Sequence, residues 1–102
     1  MSRHARHADG NQPEVVEAIR KHGGHVIHLH MVGHGVPDLL VGWRGCWVLL
    51  EVKDGRLSPS RRALNALEAA WHAQAIAHGL PVYVVTSPAH AVEVLTKHQG
   101  AR

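Results

Sequence analysis

Apolar and polar positions along the chain divide it into helical and extended stretches. Apolar residues at spacings of three and four mark helices, whereas strict alternation and short apolar runs mark strands. The pattern predicts helices at 14–22, 63–78 and 88–97, and strands at 25–32, 36–43, 46–52 and 81–86. A meander of strands, followed by a strand reached through a helix, predicts an α/β fold of order α-β-β-β-α-β-α, with a mixed four-stranded sheet flanked by helices.

The same pattern predicts how the elements begin, end and bury their side chains. Asn11 is the expected N-cap of the first helix, and Gly23-Gly24 ends it. Alternation in the first strand separates Ile27, Leu29 and Met31 from a wetter face with His28 and His30. The expected apolar stripe of the second helix consists of Leu64, Leu67, Trp71 and Ala75.

Length and composition fit one small domain. With 102 residues, 45% of them hydrophobic, the chain can bury one core and has no room for a second domain. We expect a single domain at 11–98, a flexible basic arm at 1–10 and a short C-terminal tail at 99–102. The arm is either a DNA contact or an inert tail or vector remnant.

Charge and cysteine content limit the partners and the compartment. A formal charge of +3, with eleven histidines besides, permits nucleic-acid binding without demanding it. The lone Cys46 excludes an intramolecular disulfide and forms no metal motif. No apolar run approaches the roughly 20 residues that span a membrane, and the polar N-terminus lacks the apolar segment of a signal peptide. We therefore expect a cytoplasmic protein that does not enter a membrane.

The clearest chemical signal lies in the hairpin formed by the second and third strands. Arg44-Gly45 is a turn signal, and a two-residue turn there places Asp38 opposite Glu51. Directly opposed side chains project to the same face with Cβ atoms roughly 5 Å apart. Lys53 follows Glu51 by two residues, so the strand period returns it to that face.

The opposed acids form a candidate site for a divalent metal. Two carboxylates this close repel one another unless a cation lies between them, and oxygen ligands suit Mg²⁺ or Mn²⁺ better than zinc. An amine beside such an ion can orient or deprotonate a water that attacks a phosphate. The alternative is an edge hairpin with solvated charges. Against this alternative, the apolar runs at 39–41 and 48–50 indicate strands that are buried on both faces. Charged residues at the ends of such strands require a functional explanation.

These motifs resemble the PD-(D/E)XK nuclease superfamily, and within it the small phage and bacterial VRR-NUC branch, which is similar to Holliday-junction resolvases. The main resemblance lies in 35–42 (GVPDLLVG) and 49–55 (LLEVKDG). It extends to 11–16 (NQPEVV) upstream and 80–85 (LPVYVV) downstream, so it covers nearly the whole chain.

The resemblance implies a restriction-endonuclease-like core and a set of catalytic residues. The residues it assigns to metal binding and catalysis are Asp38, Glu51, Lys53 and the backbone carbonyl of Val52. The superfamily also places an acidic residue of the first helix near the metal. Glu14 matches the pattern Asn-x-x-Glu-x-Val better than Glu17 does, although either acid could instead compensate the helix dipole.

A fourth acid is an accessory candidate. Relatives have Gln or Glu on the helix that follows the strand ending in Glu51-Val52-Lys53, here called the ExK strand, and Glu68 lies at that place. The resemblance implies that Glu68 positions a water or a phosphate. A solvated helix face is the alternative for Glu68. The stretch 65–67 (NAL) departs from the Thr-Pro opening common there, which weakens the alignment around Glu68.

The loop after the third strand is the best candidate for phosphate binding. Mobile Arg and Ser donors next to the active strand can grip a nucleic-acid backbone. The candidate DNA-binding residues are Arg56, Ser58, Ser60, Arg61 and Arg62. The alternative is a solvated loop without a ligand.

The histidines suggest a transition-metal site only weakly. Their spacing at positions 22, 25, 28, 30 and 34 fits no zinc template, and no cysteine pair accompanies them. We interpret His28 and His30 as half-exposed strand residues and His72 as structural.

Together these features predict an Mg²⁺- or Mn²⁺-dependent deoxyribonuclease that uses water as the nucleophile. The resemblance supplies DNA, branched structures and roles in repair and recombination, and a two-fold substrate fits a homodimer. One alternative is a monomeric flap or single-strand repair nuclease. Others are a non-catalytic nucleic-acid-binding module with this fold and a histidine-rich metal-storage protein.

Overall fold

The computed structural model describes residues 10–98. The helices are α1 (Gln12–Lys21), α2 (Ala66–Ala77) and α3 (Pro88–Lys97), and the strands are β1 (His25–His28), β2 (Leu39–Trp43), β3 (Cys46–Val52) and β4 (Val82–Val85). The predicted order α-β-β-β-α-β-α is confirmed. The predicted arm, apart from Gly10, and the predicted tail lie outside the described residues.

The strands form one mixed sheet in the order β1-β2-β3-β4, which confirms the predicted α/β architecture. β1, β2 and β3 pair antiparallel, and β4 pairs parallel to β3. The β2–β3 turn consists of Arg44 and Gly45 with φ of 48° and 87°. Two positive φ values suit a tight hairpin, because they match the twist of the flanking strands.

The main core lies between one face of the sheet and the helices α1 and α3. Alternate positions of β2 and β3 point to this face, where side chains are fully buried. The core residues of the helices are Val15, Val16, Ile19, Ala91 and Leu95, and those of the strands are Val26, Leu39, Val41, Trp43, Val48, Leu50, Val52 and Val85.

The opposite face of the sheet is covered only in part. Helix α2 lies on this side, and it buries only His72 and Ala75. Leu40 and Leu49 are half-buried there, while Ile27 and Trp47 are exposed. The expectation that 39–41 and 48–50 are buried on both faces is therefore met only in part, because Leu40 and Leu49 are half-buried.

The first strand is shorter than predicted and buries different residues. β1 ends at His28 because the chain then enters a loop, in which Gly33, His34 and Gly35 all have positive φ. Val26 enters the core, whereas Ile27 and Met31 are 39% and 64% exposed. The predicted alternation through Met31 is thus wrong, since the apolar residues after His28 belong to a loop.

Helix α2 begins three residues later than predicted and is rotated relative to the predicted stripe. Asn65 is its N-cap: the Asn65 side chain accepts a hydrogen bond from the Glu68 amide, and the Glu68 side chain accepts one from the Asn65 amide. This capping box sets the first turn. Leu67 is 64% exposed, and the buried side carries His72 and Ala75. The predicted stripe is therefore wrong at Leu67, whereas the burial expected of Ala75 is confirmed.

The loop before β2 contacts the first turn of α2 through Gly35. A Cβ at position 35 would overlap the Leu67 carbonyl oxygen, and the φ of Gly35 is +83°. Only glycine allows both this approach and this φ. The contact holds the segment that precedes Asp38 against α2.

Gly35→Ala should lower the free energy of unfolding by more than Gly45→Ala does. Both glycines have positive φ, but nothing lies within 4 Å of a Cβ on Gly45. We expect about 1–2 kcal/mol for the conformational term alone at Gly45, and about 1–3 kcal/mol more at Gly35 for the overlap with α2. Urea unfolding of both variants measures the difference. Equal losses of unfolding free energy in the two variants would show that the loop moves away from α2 at no energetic cost.

Helix α1 is fastened to the sheet by its N-cap residue. Asn11 is the predicted N-cap, but its side chain makes no capping hydrogen bond. Instead, Asn11 Nδ2 donates to the backbone carbonyls of Lys53 and Thr86, each at 3.2 Å. The start of α1 is therefore tied to the ends of β3 and β4.

Within residues 10–98, no helix is long and apolar enough to cross a membrane.

Candidate active site

The predicted pairing of Asp38 with Glu51 follows from the register of the sheet. Leu39 pairs with Leu50, so the next positions outward, Asp38 and Glu51, oppose each other across β2 and β3. Asp38 Oδ2 accepts a hydrogen bond of 2.8 Å from the Val52 amide. The backbone carbonyl of Asp38 also accepts a hydrogen bond of 2.7 Å from the Leu29 amide. Both the main chain and the side chain of Asp38 are therefore held.

Glu51 is a buried acid that lies beside a second acid, Asp38. Its exposed fraction is 2%. The pKa of Glu51 is raised to about 10, first by burial and then by a side-chain hydrogen bond to Asp38 and by the charges of Asp38 and Glu68, while the charge of Lys53 lowers it. Without a cation, Glu51 accordingly keeps its proton at neutral pH. A divalent ion would replace that proton and stabilise both carboxylates.

The metal-free protein should lose stability with rising pH because of Glu51. Its folded pKa of about 10 exceeds the ordinary 4.5, so between these values the folded state holds a proton that the unfolded state has lost. This contribution is complete below pH 4.5 and is lost as the pH rises towards 10. Urea midpoints of chelator-treated protein should fall over this window relative to Glu51→Gln. Parallel midpoints would mean that Glu51 is ionised in the folded protein.

Lys53 lies on the same side of the sheet and is paired with Glu68. The two side chains are 13% and 16% exposed, and Lys53 Nζ donates to Glu68 Oε1 at 2.9 Å. The same Glu68 oxygen accepts the Asn65 amide at 3.0 Å, as part of the capping box of α2. The first turn of α2 therefore fixes the position of the lysine.

His72 is a member of the site that the sequence interpretation treated as structural. Its Nε2 lies 3.5 Å from Glu51 Oε1, and its side chain is 7% exposed. Burial lowers the pKa of His72, with a further lowering by the charge of Lys53, against the raising effects of Glu68 and Asp38. The available signal was spacing, because His72 follows Glu68 by four residues and so lies on the same face of α2.

The two acids of α1 lie elsewhere. Glu14 lines a cavity together with Asp54 and Arg56, and Glu17 is an exposed residue whose carboxylate lies 3.9 Å from Lys21. Within residues 10–98, no group of three or more His, Cys, Asp or Glu is arranged to hold a metal ion. The structure thus brings together Asp38 and Glu51 but does not bring Glu14 to them. The role of Glu14 as a third acid stays a prediction.

The arginine loop is only partly free to bind phosphate. Arg56 makes two side-chain hydrogen bonds to Asp54, at 2.9 and 2.7 Å, and this pairing holds the pKa of Asp54 well below its usual range. Arg61 is exposed, and Arg62 is half-buried. Ser58 and Ser60 are also exposed, with their hydroxyls 3.5 Å apart. The assignment of this loop to DNA stays a prediction.

The residues present fit a hard divalent cation. Asp38 and Glu51 supply oxygen atoms, and Glu51 Oε1 is buried without a hydrogen-bond partner. A buried acceptor of this kind is costly unless a cation or a donor reaches it. The backbone carbonyl of Val52, the other predicted ligand, follows directly on Glu51, and its metal-binding role stays a prediction.

Comparisons with known proteins identify the architecture. No family model and no curated protein matches the chain. A solved structure described as a VRR_NUC domain matches with a TM-score of 0.65 and 25% sequence identity. The match covers 86% of this chain and 97% of that one. The protein therefore has a VRR-NUC nuclease-like fold, as the PD-(D/E)XK motifs predicted.

Proposed function

We propose that the protein is a divalent-metal-dependent endonuclease that hydrolyses phosphodiester bonds of DNA. The observation that carries the proposal is the opposition of Asp38 and Glu51, with Lys53 on the same face of a nuclease-type fold. A binding module has no use for a pair of opposed acids beside phosphate, because these acids repel the ligand. A hydrolase needs them to hold a cation.

The chain's own residues have distinct tasks in this reaction. The chemistry supplied by Mg²⁺ or Mn²⁺ at such a site is Lewis-acid stabilisation of phosphate charge and activation of water. Asp38 and Glu51 hold the ion, and Asp38 is kept in place by the Val52 amide. Lys53, held by Glu68, orients the attacking water or takes up its proton. Because Glu68 also caps α2, the orientation of the lysine depends on the position of that helix.

Substrate contacts outside the site would come from the loop after β3. Arg61, Arg62, Ser58 and Ser60 offer donors for backbone phosphates, while Arg56 is already engaged by Asp54. The loop starts directly beyond the ExK strand, so a phosphate bound there would lie next to the scissile one. Hydrogen-bond donors of this kind recognise the backbone and not the base sequence.

A homodimer acting on branched DNA is the form of the activity that we favour. A symmetric pair presents two active sites to a substrate with two-fold symmetry. The open part of the sheet offers an apolar surface for a second copy, with Ile27 and Trp47 exposed and Leu40 and Leu49 half-buried. A monomeric flap or single-strand nuclease is the second candidate.

Light scattering tests the dimer. We expect a mass twice the 11.1 kDa of the chain, and Trp47→Lys should shift it to the single mass because a charge cannot be buried in an apolar interface. Leu80→Lys, which changes another exposed apolar residue in the same way, serves as the control. A monomeric wild-type protein would rule out the resolvase form and favour the flap or single-strand nuclease.

A panel of DNA substrates tests the function itself. Junction, fork, flap, linear duplex and single-stranded DNA are incubated with Mg²⁺ or Mn²⁺, and with chelator as control. We expect metal-dependent cleavage with a preference for the junction. Cleavage of flaps or single strands alone would support the second candidate. Binding to every substrate without cleavage in either metal would contradict the proposal and favour a non-catalytic module.

A further inference from the structure

Helix α2 presents two side chains to the two charged residues of the ExK strand. Glu68 and His72 are four residues apart, which is about 6 Å along a helix. Glu51 and Lys53 are two residues apart, which is about 6.6 Å along a strand. The spacings match, so Glu68 contacts Lys53 at 2.9 Å while His72 Nε2 lies 3.5 Å from Glu51 Oε1.

The contact between His72 and Glu51 joins two buried atoms that lack other partners. Within residues 10–98, neither His72 Nε2 nor Glu51 Oε1 has a hydrogen-bond partner, and both atoms are shielded from solvent. Leaving a buried polar atom unsatisfied costs about 1–3 kcal/mol. Because the two atoms lie 3.5 Å apart, each can serve as the partner of the other. An imidazole can donate from Nε2, and a carboxylate oxygen can only accept.

We propose that His72 is a positioning residue, whose Nε2–H donates to Glu51 Oε1 and orients this carboxylate for the divalent cation. The inference rests on the proposed metal site of Asp38 and Glu51. The Val52 amide orients Asp38 by donating a hydrogen bond to its carboxylate. The bond from His72 would orient the Glu51 carboxylate in the same way. Glu68 cannot orient Glu51, because its carboxylate already accepts hydrogen bonds from Lys53 and from the Asn65 amide. His72 itself contacts neither the DNA nor the attacking water.

The effect is measured as Mn²⁺ affinity, by electron paramagnetic resonance of free Mn²⁺ and without DNA. His72→Leu keeps the volume and removes the donor, and we expect it to weaken Mn²⁺ binding by about tenfold to a hundredfold. His72→Gln places an amide donor at the same reach and should restore most of the affinity. His78→Leu makes the same exchange at an exposed position of the C-cap of α2 and should leave the affinity unchanged.

The outcomes separate this inference from the proposed function. If Asp38→Asn binds Mn²⁺ as tightly as the wild type, the metal site itself is wrong and the inference falls with it. If Asp38→Asn loses Mn²⁺ while a folded His72→Leu keeps it, only the role of His72 is wrong. A His72→Gln variant as weak as His72→Leu would also overturn it, since a merely structural role does not require a donor.

A measurement on the wild type covers the case in which His72→Leu does not fold. Long-range ¹H–¹⁵N spectra report which imidazole nitrogen carries the proton. We expect the proton of His72 on Nε2, with a resonance that moves when Mg²⁺ is added, because the ion changes the carboxylate that accepts the bond. A proton on Nδ1 alone, with bare Nε2, would overturn the inference.

Discussion

Asp38→Asn is expected to reduce metal-dependent DNA cleavage by about a thousandfold or more, because it removes one of the two acids that hold the cation. The amide oxygen can still accept the hydrogen bond from the Val52 amide, so the hairpin should remain intact. In the metal-free protein Glu51 is protonated at neutral pH, so the exchange relieves no repulsion between like charges there. Stability without metal should therefore change little.

Two readouts check this result. Cleavage of a junction in Mn²⁺ gives the rate, and thermal unfolding with and without Mn²⁺ gives the stabilisation by the ion. Wild-type protein should gain stability with Mn²⁺, and Asp38→Asn should not. Glu93→Gln is the matched control, since it neutralises an exposed carboxylate paired with Lys97 on α3. Cleavage by Asp38→Asn at the rate of this control would contradict the assignment.

Lys53→Met should lower the cleavage rate by about a hundredfold to ten-thousandfold, which is the range for loss of a positioned acid–base group. Binding of DNA and of Mn²⁺ should change little, because the acids and the loop remain. The methionine retains most of the apolar stem of the half-buried lysine. Glu68 keeps its second bond, to the Asn65 amide, so the start of α2 should hold.

The control for this exchange is Lys97→Met, which removes an exposed lysine from an ion pair with Glu93. DNA affinity by fluorescence anisotropy and single-turnover cleavage separate binding from chemistry. A loss of cleavage explained wholly by weaker binding would make Lys53 a phosphate contact. An unchanged rate at saturating DNA would remove it from the reaction.

The hairpin could be predicted from the sequence because its register depends on local chemistry. Arg44-Gly45 adopts the two positive φ angles that a tight turn requires. Once the turn is placed, strict alternation determines that Asp38 opposes Glu51 and that Lys53 shares their face. The predicted bounds of β3 agree with the structure for the same reason.

The surroundings of the hairpin depend on packing that periodicity does not record. Helix α2 is Ala-rich and apolar on several sides, so its pattern did not show which side meets the sheet. The capping box of Asn65 and Glu68 decides where the helix starts, and from this follows the burial of His72. In the sequence analysis, the stretch 65–67 was interpreted only as a departure from the family pattern, and its role in capping α2 was not predicted.

The end of β1 was mispredicted for a related reason. Ile27 and Met31 continue an apolar alternation, but β1 is an edge strand and the positive φ at Gly33, His34 and Gly35 turns the chain away. Asn11 shows a similar limit, because its capping role was local whereas its bonds go to Lys53 and Thr86, far along the chain. Interactions between distant segments override local preference in both places.

The most direct test of the central claim is the location of Mn²⁺ by anomalous diffraction from crystals soaked in the ion. We predict one or more manganese peaks bonded to carboxylate oxygens of both Asp38 and Glu51, as for a hard cation with oxygen ligands. A crystal with Mn²⁺ bound elsewhere, and with no ion at Asp38 and Glu51, would contradict the account.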